Sequence, residues 1–362
     1  METKNGILAI PPGETIKEQL EYKEMTQIEF ARRMGQSQRH ISWLLNGKAP
    51  LSQTTALKLE SVLGIPAKYW NNLEALYRED LARIQELVDM DEEASIAKEI
   101  PYNDMAKKGW VPDRRKTLDK VAELRKYFEV ASLKLIPNIY ENVATSFRKV
   151  DRGKASPFAL TAWIHKASQD AKLIEVNQFN KRKLKSSIPR IRELSNKSPK
   201  EFQMELFEIL SDCGVALVFL PHLSGTYTHG ATMWPSASKA VVAISIRGKD
   251  ADKFWFSLFH ELGHLILHDK KHAYINYDKA NMRDDKEFEA DEFARNTLIP
   301  LKEYQYFVNH SEFSSKEVQG FAKKVGIAPG IVVGRLQFDE EIHYSQLNSL
   351  KQQYTWTNEQ YN

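Results

Sequence analysis

A single cysteine, Cys213, occurs in 362 residues, so no disulfide can form within the chain, as befits a reducing compartment. It follows Ser211-Asp212 and precedes an apolar run, and it reads as a small core or turn residue rather than a nucleophile. No apolar run approaches the roughly 18 residues of a spanning helix, so no membrane helix is expected. The start, METKNGILAIPPGE, lacks a basic stretch followed by an apolar one, so no secretory leader is expected. The net charge is only +3; any surface that attracts nucleic acid must be local. These absences predict a cytoplasmic protein with no membrane attachment. Apolar content of 42% and charged content of 27% are those of a globular chain, long enough for two or three domains.

What is present centres on residues 254–269, FWFSLFHELGHLILHD. His260-Glu261-Leu262-Gly263-His264 is the pattern H-E-x-x-H. On a helix, residues four apart lie about 40° apart in azimuth and about 6 Å apart in rise, so His260 and His264 share a face and can grip one Zn²⁺. Glu261 sits about 100° round, where a carboxylate can take a proton from water at that ion, as the base of a metallopeptidase must. The flanks are almost wholly apolar, and two His and a Glu in such a helix would cost several kcal/mol without a partner. Five residues recur by chance, however, so the motif needs support. Lys286-Glu287-Phe288-Glu289-Ala290-Asp291 supplies it with E-x-x-x-D. Glu287 completes a His₂Glu set, and Asp291, one turn on, suits the outer N–H of a ligand histidine. Phe288, Ala290, Phe293, Ala294 and Leu298 are expected to give this second helix a core face.

HELGHLILH followed by EFEADEFARNTLIP resembles the ImmA/IrrE metallopeptidase domains. These are gluzincin-like zinc proteins of bacteria and their mobile elements, linked to control of a DNA-binding repressor. The resemblance spans about residues 202–350. It implies Zn²⁺ as cofactor, His260, His264 and Glu287 as ligands, and Glu261 as catalytic base. Glu289 remains a rival third ligand.

Residues 14–63 read as short helices with tight joints. Thr26 caps the second helix, with Glu29 completing a capping box; Gly35 ends it in a left-handed turn. Ser37 caps the third, which runs from Gln38 to Leu45 and stops at Asn46-Gly47. Ser52 caps the fourth, which ends at Leu63-Gly64, and Pro66 opens a fifth. This is a helix-turn-helix layout, with Ala31 small at the helix crossing and Ile28, Ile41, Leu44 and Leu45 as core. The third helix would enter the major groove N-terminus first. Gln38, Arg39 and Ser42 suit base edges, and Gln36, Ser37 and Lys48 suit phosphates. The stretch ISWLLNGKAPLSQTTALKLESVLGIPAKYWNNLEALY resembles HigA-type antitoxins of the Cro/repressor superfamily. That likeness covers about residues 11–82. It implies a five-helix unit that binds double-stranded operator DNA as a homodimer, with Trp70, Leu73, Leu76 and Tyr77 packing beneath the helices or at the dimer interface.

Residues 79–100 continue as charged helix, with a hinge suggested at 89–93. Residues 113–200 are helical by period and basic: Arg148, Lys149, Arg152, Lys154, Lys166, Lys181, Arg182, Lys183, Lys185, Arg190 and Arg192 meet few acids. No nucleic-acid motif frames them, so they read as a connector surface. Residues 214–220, 226–234 and 239–246 read as three short strands, and an exposed sheet edge could hold an extended peptide. Tyr227, His229 and Arg283 are candidates for stabilising an oxyanion. A second A-x-x-x-G, in residues 317–327, precedes a helix poor in base-reading side chains and is assigned to packing.

The expectation is an α+β chain, mostly α. Residues 1–100 are a five-helix repressor-like DNA-binding domain, 101–200 a basic helical connector, and 201–362 a gluzincin-like metallopeptidase domain with a small β-sheet. The expected function is an antitoxin-like repressor whose zinc endopeptidase domain hydrolyses a repressor, a toxin or the chain itself. The alternative is a repressor whose zinc domain is only structural or sensory.

Overall fold

The computed structural model describes residues 2–4, 6–140, 156–245, 247, 249–269, 274–277 and 285–355. Packing divides the chain after Ala94 into two units.

The first unit opens with a two-stranded antiparallel ribbon, β1 (Glu2–Lys4) and β2 (Ile7–Ala9), which the sequence did not signal. Five helices follow: α1 (Pro12–Tyr22), α2 (Gln27–Met34), α3 (Gln38–Leu45), α4 (Gln53–Leu63) and α5 (Ala67–Glu92). Local chemistry sets their ends. Ser37 Oγ accepts from His40 N at 3.1 Å and Ser52 Oγ from Thr55 N at 3.1 Å, each satisfying a donor with no partner inside the helix. Gly35 and Gly64 end α2 and α4 at φ 60° and 81°. Thr26 caps α2 through Glu29 N at 3.2 Å, but only half of the expected box forms. The Glu29 carboxylate turns outward to Arg33 Nε at 3.0 Å, a pairing one turn along the surface.

Ile16, Phe30, Ile41, Leu59 and Trp70 are fully enclosed. Ile28, expected in this core, is 49% exposed, and Phe30 takes the place instead. Ala31 is buried as expected. α1 crosses α3 so closely that a Cβ on Gly13 would fall 2.1 Å from Leu45 O; only glycine fits there. Trp70 lies beneath the helices, its Nε1 donating to Ile65 O at 3.2 Å. Leu73 packs against the same core, whereas Leu76 is exposed. α5 ends at Glu92, inside the suggested hinge, with Glu93 as its C-cap, and a short helix, α6 (Ala94–Glu99), follows.

The second unit, which takes in α6 from Ser95 onward, continues with α7 (Tyr102–Lys107), α8 (Thr117–Phe128), α9 (Ile136–Ile139), α10 (Pro157–Lys172), α11 (Lys181–Glu193) and α12 (Pro199–Asp212). These helices pack within the unit. Tyr127 Oη donates to Ala162 O at 2.8 Å, and Trp163 Nε1 to Pro221 O at 3.2 Å. Several basic side chains of the connector segment are engaged locally: Arg190 with Glu205 at 2.9 Å, Lys183 with Asp212 at 3.4 Å, and Arg192 Nε with Leu298 O at 3.0 Å. Arg148, Lys149, Arg152 and Lys154 lie outside the described residues.

Among the described residues the sheet has four strands rather than three: β3 (Val215–Leu220), β4 (Thr228–Ser236), β5 (Lys239–Ser245) and β6 (Tyr274–Tyr277), in the order β3-β5-β4-β6. β3 runs parallel to β5, and β4 is antiparallel to both its neighbours. Helix α13 (Ala251–Leu267) packs on β4 and β5 and against α14 (Asp285–Leu298). Trp255, Leu258, Phe259 and Leu262 anchor it in one continuous core with Phe202, Leu206 and Leu336. On α14, Ala290, Ala294 and Leu298 are buried as expected. Phe288 is not; it is 63% exposed.

Three helices close the chain: α15 (Leu301–His310), α16 (Ser315–Val325) and α17 (Pro329–Phe338). Gly326 turns α16 into α17 at φ 74°. α17 is buried against α13, where a Cβ on Gly334 would meet Asp252 Oδ2 at 2.2 Å. The second A-x-x-x-G therefore serves packing. No helix among the described residues is long and apolar enough to cross a membrane.

Candidate metal centre and nucleic-acid interface

Two helices build the candidate metal centre. Gly263, inside H-E-x-x-H, faces α14: a Cβ there would lie 3.1 Å from the Phe293 ring and 3.3 Å from Ala290 Cα. Its bare backbone lets α14 come close enough for a carboxylate to reach both imidazoles. His260 Nε2 and His264 Nε2 are 3.0 Å apart. Glu287 Oε2 is 3.1 Å from the first, and Glu287 Oε1 is 3.4 Å from the second. One ligand atom from each of the three lies within 4.8 Å of the others. Asp291 Oδ1 is 2.8 Å from His260 Nδ1, so Glu287 and Asp291, one turn apart on α14, take the two nitrogens of one ring.

Glu289 does not join this cluster. It points to His268, whose Nε2 is 3.0 Å from Glu289 Oε2, while His268 Nδ1 is 3.0 Å from His264 Nδ1. His268 went unnoticed in the sequence, although its spacing of four from His264 was the available signal. Of the two rival glutamates, Glu287 is the one brought to both imidazoles.

Glu261 is wholly buried. Thr232 Oγ1 donates to its Oε2 at 2.7 Å, and its Oε1 has no hydrogen-bond partner among the described residues. Burial lifts this carboxyl to about 8, against the opposing influence of His260 and Thr232. Burial also lowers His264, outweighing the opposite pull of Glu287; at His260 burial acts the same way, but the bonds to Asp291 and Glu287 outweigh it and raise the ring to about 10. Two imidazoles and a carboxylate converging in a buried site match the His₂Glu donor set that Zn²⁺ takes. The residues present fit that ion.

The oxyanion candidates fare differently. Tyr227 sits at φ 49° with Arg247 stacked 4.7 Å over its ring. His229, one residue before Gly230 on β4, is half-buried. Arg283 lies outside the described residues.

In the first unit, α3 presents the DNA-facing candidates. Ser37, Gln38, Arg39 and Lys48 are exposed, and Gln36 and Ser42 half-buried. Ser37 Oγ is already committed to capping α3. Arg39 lies over the Trp43 ring at 4.5 Å. Trp43, 42% exposed, is a further surface residue of α3 that the sequence reading passed over.

The family model described as IrrE N-terminal-like domain, a peptidase family, matches residues 212–337. The helix-turn-helix family model matches residues 16–70. YddM of Escherichia coli (strain K12), described as an uncharacterised HTH-type transcriptional regulator, is 37% identical over 79 residues, 22% of this chain and 82% of that protein. An addiction module antidote protein of a HigA family from Coxiella burnetii, a solved structure, is 26% identical. That alignment covers 24% of this chain and 94% of that one, with a TM-score of 0.22.

Proposed function

Because the chain belongs to the helix-turn-helix family of transcriptional regulators through its N-terminal unit and carries an IrrE N-terminal-like peptidase domain in its second, we propose that it is an operator-binding repressor with a fused zinc endopeptidase. The observation that carries the peptidase reading is Glu261. It is a fully buried carboxyl group, next in sequence to His260, with one oxygen unpartnered among the described residues. A structural metal site has no use for such a group, whereas hydrolysis requires a base there.

His260, His264 and Glu287 would hold Zn²⁺, which supplies Lewis acidity toward a peptide carbonyl and toward water. Glu261 takes the proton from the attacking water and delivers it to the amide nitrogen as the C–N bond breaks. Thr232 holds one carboxylate oxygen, which leaves the other for the proton. Asp291 fixes His260 in the tautomer whose Nε2 faces the site. The substrate is a protein: a repressor, a toxin or the chain itself.

In the N-terminal unit, α3 reads double-stranded operator DNA with Gln38, Arg39 and Ser42, while Gln36, Ser37 and Lys48 lie near phosphates. Two copies bind together, and Leu76, exposed on α5, is available to the second copy.

One observation favours a second reading, in which the zinc domain is structural or sensory. His260 and His264 are each 1% exposed, an enclosure that also suits a site that binds no peptide. Incubation of the full chain and of Glu261→Gln with the proteins encoded beside it separates the readings. The peptidase account expects new masses with the wild type and none with the variant. Equal cleavage by both removes Glu261 as base, and no cleavage by either favours the sensory reading.

A further inference from the structure

Each candidate ligand imidazole is backed by a carboxylate, His260 directly and His264 through another ring. The second arrangement constrains protons tightly. His264 Nδ1 and His268 Nδ1 are 3.0 Å apart, so one must carry hydrogen and the other must not. A carboxylate only accepts, and Glu289 Oε2 lies 3.0 Å from His268 Nε2; that nitrogen therefore carries the hydrogen. His268 Nδ1 is then bare and accepts from His264 Nδ1–H. His264 Nε2 is left as a lone pair facing His260 and Glu287. Of the two assignments it is the one a metal ligand needs: the lone pairs of both Nε2 atoms and the Glu287 carboxylate then face the place of a cation. The reverse assignment sets a bare His268 Nε2 against a carboxylate and puts hydrogen on the His264 nitrogen that faces the site.

We infer that His268 and Glu289 are positioning residues, a two-member relay that fixes the tautomer and ring plane of His264. This rests on the zinc reading above. It also gives Glu289 a role other than third ligand. The burial pattern suits it: the His268 side chain is 4% exposed and Glu289 59%, so the line runs from the buried site to the protein surface. His268 is held in turn by the end of α13, its N–H donating to His264 O at 3.1 Å.

The test uses the full chain, with histidine nitrogens labelled for NMR in the zinc-free protein and zinc affinity measured by competition with a chromophoric chelator. Glu289→Leu, at an exposed position, is expected to shift His264 away from the Nδ1–H tautomer and to weaken zinc binding about tenfold, the lower end for loss of an outer partner of a ligand. Glu289→Gln keeps an acceptor for His268 and should restore most of the affinity. In a His268→Phe background, Glu289→Leu should change affinity less than about twofold, since the connection is already cut. The inference is overturned if Glu289→Leu leaves tautomer and affinity unchanged, or weakens zinc equally with and without His268. A wild type that takes up no zinc, yet loses the His264 Nδ1–H tautomer on Glu289→Leu, would sink the zinc reading and leave the relay standing.

Discussion

Gly230 on β4 lies against the Glu261 carboxyl group, so that a Cβ at position 230 would fall 2.7 Å from Oε1 and 2.9 Å from Cγ. The missing side chain leaves the base its position beside the cluster. Gly230→Ala should push the carboxyl aside while leaving His260, His264 and Glu287 in place. The expected result is unchanged zinc content with at least about tenfold lower kcat/KM, since small misplacements of a reacting group cost that much or more. Steady-state cleavage assays and metal analysis of the same preparation check it. Wild-type rates in the variant would show that this contact does not position Glu261.

Arg39→Ala should weaken specific operator binding by about 1–3 kcal/mol and relax preference at one base position. Arg39 is exposed and stacked on Trp43, so the change should leave the fold alone. Titration against operator and scrambled duplexes at one fixed salt concentration is the measurement. Equal losses on both duplexes would make Arg39 a phosphate contact instead.

Asp104 ties α7 to the loop after β3, accepting from Ser224 N at 2.8 Å and from Lys108. Burial raises its carboxyl, but the bonds from Lys108 and Ser224 outweigh this and hold it below its ordinary 3.8. A depressed folded-state value means the stabilisation is present above about pH 4 and is lost as pH falls through the folded value. Asp104→Asn should therefore cost about 1 kcal/mol at pH 7, a charged hydrogen bond discounted for partial exposure. The difference from wild type should vanish toward pH 2 in denaturant titrations. A gap that persists at low pH would assign the loss to packing.

The sequence disclosed what local chemistry decides. Serines 37 and 52 and glycines 35 and 64 sit where caps and left-handed turns require them, because helix ends are settled within four residues. H-E-x-x-H and E-x-x-x-D were legible because a helix converts spacing into a shared face. Side-chain choices made between elements were not legible. Ile28 and Phe30 are both apolar on α2, and only tertiary packing selects Phe30 for the core. β6 is four residues long and gains its strand character from pairing with β4, which composition cannot announce. The sequence favoured Glu287 and kept Glu289 as a rival, and the contacts made by α14 distinguish them: Glu287 meets His260 and His264, Glu289 meets His268. His268 drew no role from the sequence, and only its contacts with His264 and Glu289 disclose a use.

The most direct test is the zinc content of the purified full chain, measured by atomic emission for the wild type, Glu287→Ala and Glu289→Ala at micromolar protein with one equivalent of zinc supplied. The account predicts about one zinc per chain in the wild type and in Glu289→Ala, and almost none in Glu287→Ala, whose loss opens the His₂Glu set. Full retention by Glu287→Ala, or loss in Glu289→Ala alone, would contradict it.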